Sequence, residues 1–326
     1  MSTTQHRVKH VTIVGSGTMG SQIGMVSALA GYDTTIVDIS PQALQKAEAQ
    51  LHRRVDRDVE KGRRSPEEVA AAKDRLAFSE DRDAVVAQTD FVIEAAIEDI
   101  AIKRELFADL DSVAPEHTIL ATNSSNIVSS QIADATNRAD RVCNMHFFNP
   151  ALVMECVEAV PHEQTSEETL QTAVDLAEAF GKSVVRLNKE ITGFVANRLL
   201  NALRREALSL YNADVASFED IDVAAKTALR HPMGPFELMD LVGIDVVYLI
   251  RMAEYEQTGM PRVCLTRQSP NSTKPVAMDA RPGKAGTTTA AEAPGISRSC
   301  PLCAPAWINP LPGKRTGRRE ISSRRP

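Results

Sequence analysis

Two residues in the segment HFFNPALVMECVE, residues 146–158, have side chains suited to proton transfer. His146 opens the segment, and Glu158 closes it twelve positions later. A histidine is a suitable general base because the ordinary pKa of imidazole lies near neutral pH. A carboxylate beside it would fix the tautomer of the ring and stabilise the imidazolium. The alternative interpretation is an ordinary strand, turn and strand in which the histidine has only a structural hydrogen bond.

A second set of residues, Gly15-Ser16-Gly17-Thr18-Met19-Gly20, fits the pattern G-x-G-x-x-G. It follows the apolar run VTIV and opens a predicted helix from Thr18 to Ala30, the context in which this pattern indicates dinucleotide binding. The glycines permit a tight turn and close approach of a pyrophosphate, and the helix N-terminus offers unpaired N–H groups. Asp38, at the end of the second predicted strand, is placed to accept hydrogen bonds from ribose hydroxyls and to repel the 2′-phosphate of NADP. NAD is therefore the predicted cofactor; a glycine turn that binds no dinucleotide is the alternative.

The elements that must position these residues alternate between short apolar runs and helical patterns. Such alternation predicts parallel βαβ units and a doubly wound sheet. After Leu187 only helical periodicity remains, over 192–211, 217–229 and 234–256. The strands are predicted at 11–14, 34–39, 91–95, 118–122, 142–147, 156–160 and 183–187, and helices of the first region at 18–30, from Pro41 toward Lys61, from 65 onward, and at 103–113 and 165–180.

The predicted fold class is α/β, a Rossmann-type, doubly wound and mostly parallel sheet followed by an all-α C-terminal domain. We assign residues 1–189 to the sheet domain, 190–260 to the helical domain and 261–326 to a tail. The tail contains 12 Lys/Arg, 3 Asp/Glu and 10 of the 17 prolines, so it is expected to be disordered. The abrupt change in amino-acid composition there also leads to the hypothesis of a shifted reading frame, which the coding sequence would test.

Composition excludes several classes of protein. No run of about 18 apolar residues is present to span a bilayer, and no apolar segment follows the basic residues of the start. Five irregularly spaced cysteines argue against a disulfide framework and favour the cytoplasm. The lone pair Cys300 and Cys303 lacks the second ligand pair that zinc needs, so no metal site is predicted. A solvated tail is preferred over one that binds nucleic acid or membrane.

Six segments together give a specific resemblance. Residues 8 to about 259 resemble the L-3-hydroxyacyl-CoA dehydrogenase family, particularly its single-function 3-hydroxybutyryl-CoA members. The segments, in order, are GSGTMG, FVIEAAIED, ATNSSN, MHFFNP, GFVANRLL and HPMGPFELMDLVG.

The resemblance implies an activity and a set of site residues. It implies NAD-dependent oxidation of a (3S)-3-hydroxyacyl-CoA to a 3-oxoacyl-CoA, or the reverse, in a cleft between the domains of a homodimer whose helical domains associate. His146 matches the family's catalytic base and Glu158 its partner. Ser125 and Asn197 match residues near the substrate oxygens; without the family they would be interpreted as a turn or cap residue and a packed polar residue. The positions that match cofactor contacts are Asp38 on the adenosine ribose, Glu98 and Lys103 on the nicotinamide ribose side, and Asn149.

Departures from the family pattern keep two alternatives open. Glu155 replaces a typical lysine near Glu158, although it should face away from Glu158 along the strand, and Thr192 replaces a usual proline. One alternative is an NAD-dependent dehydrogenase of a sugar acid or another hydroxy acid without CoA. The other is a non-catalytic NAD-binding protein with an altered C-terminus.

Overall fold

The computed structural model describes residues 8–242. The chain divides into two compact units between Arg198 and Leu199. The predicted tail at 261–326, the CxxC pair in it and the end of the last predicted helix lie outside the described residues.

The first unit contains one eight-stranded sheet. Its strand order is β3-β2-β1-β4-β5-β6-β7-β8, so the order reverses between β1 and β4. All neighbouring strands are parallel except β6 and β7, which are antiparallel. The predicted mostly parallel, doubly wound sheet is therefore confirmed. The strands are β1 His10–Val14, β2 Asp33–Val37, β3 Leu76–Ser79, β4 Phe91–Glu94, β5 Ile119–Thr122, β6 Val142–Phe147, β7 Cys156–Val160 and β8 Ser183–Arg186.

Helices connect the strands and continue into the second unit. Most begin where the sequence contains an N-cap residue: the Ser40 hydroxyl, for example, accepts a hydrogen bond from the Ala43 amide, and Pro41 occupies the first turn. The helices are α1 Thr18–Leu29, α2 Pro41–Glu60, α3 Pro66–Arg75, α4 Arg82–Val86, α5 Ile100–Val113, α6 Ser130–Ala133, α7 Glu167–Ala179, α8 Ala196–Asn212, α9 Phe218–Thr227 and α10 Pro235–Val242. In the described chain, no helix combines the length and the apolar content that crossing a bilayer requires.

The central strands β4, β5 and β6 are buried along their whole length. Apolar side chains on both faces of the sheet form two core clusters, one packed under α1, α2 and α7 and the other under α5. Such double burial explains the near-continuous apolar runs of these strands. A few polar residues interrupt the apolar runs of these strands, and they lie in or next to the candidate site.

The structure differs from the predicted elements in several places. The strand β3 and the short helices α4 and α6 were not predicted. The first helix of the helical region was predicted from Thr192, but α8 begins at Ala196, because Gly193 and Phe194 have left-handed backbone dihedrals of φ 76° and 46°. A helix cannot contain such residues.

The second unit has a small core of its own. Buried apolar residues of α8, α9 and α10 form one cluster, which includes Leu208, Ile221 and Phe236. Asp222 of α9 accepts hydrogen bonds from the amides of Phe236 and Glu237, so one carboxylate caps the start of α10. The prediction of a helical region after the sheet is confirmed for these residues.

Candidate active site

The glycine turn lies between β1 and α1, at the reversal of strand order. Gly15 has φ 105° and its amide donates to the carbonyl oxygen of Val37 at 2.8 Å, which joins the turn to β2. A Cβ added to Gly20 would lie 1.9 Å from the Gly15 oxygen, whereas one added to Gly17 would meet nothing within 4 Å. Gly15 and Gly20 thus permit the turn itself, and Gly17 leaves open space at the helix start.

The N-terminus of α1 is the part of this turn that suits a pyrophosphate. Its N-cap is Gly17, and no side chain caps the helix. By contrast, α2, α3, α5, α7 and α9 each have a side-chain oxygen at the N-cap that accepts a hydrogen bond from the first turn. Thr18 is exposed at this opening, while the side chain of Met19 packs against the core. The first amides of α1 therefore face open space, as binding of an anion requires.

Asp38 is held next to the glycine turn. Its Oδ2 accepts hydrogen bonds from the amide and the hydroxyl of Ser16, at 2.8 and 2.7 Å, and its Oδ1 accepts one from the amide of Ser40 at 3.0 Å. Partial burial acts to raise the pKa of Asp38, but these hydrogen bonds outweigh burial and hold the pKa below its ordinary value. The carboxylate is thus ionised and oriented, which fits a ribose diol and disfavours a 2′-phosphate.

His146 and Glu158 are direct partners across the antiparallel strands β6 and β7. The Nδ1 atom of His146 lies 2.9 Å from Oε2 of Glu158, and the side chains are 7% and 0% exposed. Because an ionised carboxylate only accepts hydrogen bonds, Nδ1 must carry the proton. The Nε2 atom of a neutral His146 then has a free lone pair. The structure thus brings these two predicted site residues together.

The second oxygen of Glu158 binds the backbone ahead of α8. Oε1 accepts hydrogen bonds from the amides of Val195 and Ala196, both at 2.9 Å. Burial acts to raise the pKa of Glu158, but the hydrogen bonds from His146 and the two amides outweigh it and lower that pKa below its ordinary value. Glu158 is therefore an anion in a buried position, with both oxygens satisfied.

A buried ion pair lies at the carboxyl ends of β4 and β5. The Lys103 ammonium, 1% exposed, is 2.5 Å from Oε1 of Glu94 and 3.5 Å from Oε2 of Glu98. The other Glu94 oxygen accepts a hydrogen bond from the Thr122 hydroxyl at 2.6 Å. The hydroxyl of Ser124 donates to Glu98. Two of the predicted cofactor residues, Glu98 and Lys103, are thus brought together in one network.

The loop after β5, which contains Ser125, is fixed on both sides. Ser124 bonds Glu98, and the side chain of Asn144 on β6 donates to the carbonyl oxygens of Ser124 and Ile127. The Asn123 side chain accepts a hydrogen bond from the amide of Phe147, next to His146. The loop therefore has a defined position relative to β6.

The remaining predicted site residues lie in loops or in the first turn of a helix. Ser125 and Asn197 are half-buried, and Asn149 is exposed just before Pro150. Within residues 8–242, no hydrogen bond joins these three side chains to His146 or Glu158. Glu155 is exposed and precedes β7, in agreement with its predicted orientation away from Glu158.

Sequence reasoning missed three residues of this region. Glu94 ends the apolar run FVIE, and Asn144 interrupts VCNMHF; a polar residue inside a buried strand is a usable signal of a buried network. Phe194, whose ring contacts His146, resembles any apolar residue of a helix in sequence, so no signal marked it.

Comparison with known proteins identifies the family. The model of the 3-hydroxyacyl-CoA dehydrogenase NAD binding domain matches residues 10–191, and that of the C-terminal domain of the same dehydrogenase matches residues 193–289. The chain therefore belongs to the 3-hydroxyacyl-CoA dehydrogenase family, whose cofactor is NAD. The second match extends beyond residue 260, so the boundary of the tail stays a prediction.

Individual relatives agree with this assignment. The chain is 41% identical to a human protein, hydroxyacyl-coenzyme A dehydrogenase, mitochondrial, over 248 residues, which cover 74% of this chain and 79% of that one. It is 40% identical to a probable 3-hydroxybutyryl-CoA dehydrogenase of Bacillus subtilis over 238 residues, covering 73% and 82%. Among solved structures, (S)-3-hydroxybutyryl-CoA dehydrogenase from Ralstonia eutropha superposes with a TM-score of 0.73 at 36% identity, covering 79% and 90%.

Proposed function

We propose that the protein interconverts a (3S)-3-hydroxyacyl-CoA and the corresponding 3-oxoacyl-CoA with NAD. The observation that carries this proposal is the 2.9 Å hydrogen bond between His146 Nδ1 and Glu158 Oε2, which leaves Nε2 free to accept a proton. Membership of the family supplies the substrate class.

His146 and Glu158 have different roles in proton transfer. In the oxidation direction, Nε2 of His146 accepts the proton of the 3-hydroxyl group as the carbon–oxygen double bond forms. The resulting imidazolium is stabilised by the buried carboxylate of Glu158, whose own charge is maintained by the Val195 and Ala196 amides. Bound NAD would supply the acceptor for the hydride that leaves the same carbon. In reduction, His146 returns the proton to the oxygen.

The cofactor contacts are proposed from the geometry of the turn and from the family. The open N-terminus of α1 suits the pyrophosphate, and Asp38 suits the adenosine ribose. We assign Glu98 and Lys103 to the nicotinamide ribose side, and Asn149 to another contact with the cofactor. The residues of the turn proposed to contact the cofactor are Gly15, Gly17, Thr18, Met19 and Gly20.

Ser125 and Asn197 are proposed to bind the substrate. Both are half-buried, and neither side chain hydrogen-bonds another residue in the described part of the chain, so their polar groups are available to a ligand. Hydrogen bonds to the reacting oxygen or the thioester carbonyl would hold the substrate carbon next to the nicotinamide.

The direct test is oxidation of NADH with acetoacetyl-CoA. We expect turnover by the wild type and a loss of about 10²–10⁴-fold in kcat for His146→Gln. His117→Gln is the control, because His117 hydrogen-bonds Asp90 at the opposite end of the sheet and should leave kcat unchanged. Binding of NADH without turnover by the wild type would instead favour a non-catalytic protein. Turnover of hydroxy acids that lack CoA would favour the other alternative.

We also propose that the protein is a homodimer in the cytoplasm. Exposed apolar side chains in the helical unit support association, among them Leu199, Val215 and Leu229. The odd number of cysteines agrees with a reducing compartment. Light scattering after size exclusion tests the first proposal, and a monomer at micromolar concentration would refute it; microscopy of a tagged chain tests the second.

A further inference from the structure

We infer that Phe194 is a positioning residue for the His146–Glu158 pair, and that the left-handed turn at Gly193 and Phe194 holds both partners of the pair at once. This inference rests on the proposed function. It concerns a residue whose ring lies beside the imidazole and takes no part in the hydrogen bond between the two partners.

The first observation is the contact between rings. Phe194 is fully buried, and the centroid of its ring lies 5.4 Å from that of the His146 imidazole, with an interplanar angle of 53°. Phe148 contacts the same imidazole at 4.6 Å and 60°. Because two tilted rings pack on the imidazole, its rotation is restricted and Nε2 keeps one direction.

The second observation is the backbone of the same residue. Phe194 has φ 46°, a region that side chains other than glycine occupy at a cost, and Gly193 before it has φ 76°. The next two amides, those of Val195 and Ala196, donate to Oε1 of Glu158. The turn thus directs the Phe194 ring to the histidine and the following N–H groups to its carboxylate partner.

A purely structural role explains less of this arrangement. Phe194 does pack in an apolar cluster with Val160 and Leu187, so part of its burial is ordinary core formation. Filling that cluster does not require a left-handed backbone. The conformation is explained if one short turn must satisfy the anion and cover the imidazole together, since strained residues persist where the surroundings fix them from several sides.

The test compares two substitutions of buried phenylalanines in the same unit. Phe194→Leu retains an apolar side chain but removes the ring from the histidine. Phe91→Leu removes an equally buried ring from the first residue of β4, at the opposite end of the sheet. We expect kcat with acetoacetyl-CoA to fall about 10- to 100-fold for Phe194→Leu, with KM for NADH unchanged within about twofold. Phe91→Leu should keep the wild-type kcat.

A double-mutant cycle distinguishes positioning from general loosening of the fold. In a Glu158→Gln background, Phe194→Leu should lower kcat by less than about threefold, because residues that act as a unit are not additive. An undiminished effect in that background would overturn the inference. Circular dichroism checks folding, and Phe194→Met replaces the leucine variant if the latter does not fold.

Two further variants separate the ring from the backbone. Phe194→Gly removes the ring and relieves the left-handed strain, while Phe194→Ala removes the ring only. We expect both to lose kcat to the same extent, with the higher Tm for the glycine variant. Wild-type kcat in Phe194→Gly would overturn the inference.

A spectroscopic measurement needs no turnover. The Nδ1–H resonance of His146 should broaden or shift in Phe194→Leu and stay in place in Phe91→Leu; an unchanged resonance in both would contradict the inference. A wild type that does not oxidise NADH would refute the proposed function and this inference with it. A wild type that does, paired with an unchanged kcat in Phe194→Leu, would refute this inference alone.

Discussion

The two ends of the sheet each contain an ion pair with a buried carboxylate, and the two pairs are completed in different ways. At the carboxyl ends of the strands, the Lys103 ammonium contacts the buried Glu94 and also Glu98, whose side chain is 40% exposed. At the amino ends, Arg138 binds Asp111 at 2.5 Å, and its remaining donors bind backbone. The carbonyl oxygens that accept from Arg138 belong to Asp111, Ala114, Pro115 and Thr118.

The two networks differ in whether one of their members is accessible to solvent. The guanidinium of Arg138 joins the end of α5 to the start of β5, and every contact ends within the fold. The network of Lys103 ends on Glu98, which solvent or a ligand can reach. In an open α/β sheet, ligands bind beyond the carboxyl ends of the strands. Closed polar networks are therefore expected at the amino end, and networks with an accessible member at the other.

Replacing the cation of each pair should have the largest effect. Arg138→Met and Lys103→Met each leave a buried carboxylate without its partner, which costs about 3–5 kcal/mol in the free energy of unfolding. Denaturant titration at pH 7 measures this loss. For Lys103→Met, we also expect NADH binding to weaken about tenfold or more. The substitution removes the charge-assisted hydrogen bond that Lys103 is proposed to donate to the cofactor.

The contrast between the two ends of the sheet would be wrong if Arg138→Met and Lys103→Met had the same effect on NADH affinity. Arg138→Met, assayed where it is folded, should bind NADH with the wild-type Kd. A weakened affinity in that variant would show that the amino end is coupled to the site. An unchanged affinity in Lys103→Met would remove the functional assignment of its network.

Two glycines of the turn give a sharper contrast at one end of the sheet. Gly20→Ala forces a Cβ against the Gly15 carbonyl and should cost about 1–3 kcal/mol of stability. Gly17→Ala has open space and an ordinary φ of −61°, so its stability should change by less than about 0.5 kcal/mol. Its added methyl group nevertheless lies where a pyrophosphate would approach, so NADH affinity should fall. Calorimetry for stability and fluorescence titration for NADH measure the two quantities.

An equal loss of stability in both glycine variants would contradict this division of roles. Full NADH affinity in Gly17→Ala would show that the phosphates do not approach this backbone.

Much of the sheet could be predicted from the sequence because its central strands are buried on both faces. Runs such as FVIEA and VCNMHF leave little ambiguity, and the connection 148–155 returns the chain so that His146 and Glu158 pair on adjacent strands. The strand β3 escaped prediction because it has four residues, pairs on one side only with β2, and follows α3 without a turn.

Other features depend on contacts that local sequence does not encode. The late start of α8 follows from the left-handed turn at Gly193 and Phe194, and the amides after this turn bind Glu158, 37 and 38 residues away. The partnership of Glu94 and Lys103 depends on the geometry of α5 against β4. The roles of Ser125 and Asn197 come from the family resemblance alone, and no contact in the structure tests them.

The smallest expected effect concerns the pH dependence of the amino end. Burial acts to raise the pKa of Asp111, but hydrogen bonds from Asn137 and Arg138, with the charge of Arg138, outweigh it and lower that pKa. A lowered pKa in the folded state means that Asp111 stabilises the fold above its unfolded pKa of about 3.9. That contribution is lost as pH falls from this value through the lower, folded pKa.

Comparison of the wild type with Asp111→Asn isolates this contribution from those of other carboxylates. The difference in unfolding free energy between them should be constant from pH 7 to about 5 and should shrink as pH falls below about 4. A difference that grows on acidification would mean that the folded pKa is raised and that burial dominates. The pH dependence of unfolding in Glu94→Gln, measured in the same way, compares the carboxyl end of the sheet with the amino end. The two anions differ in their partners, because Glu94 shares the Lys103 cation with Glu98 whereas Asp111 has Arg138 as its own.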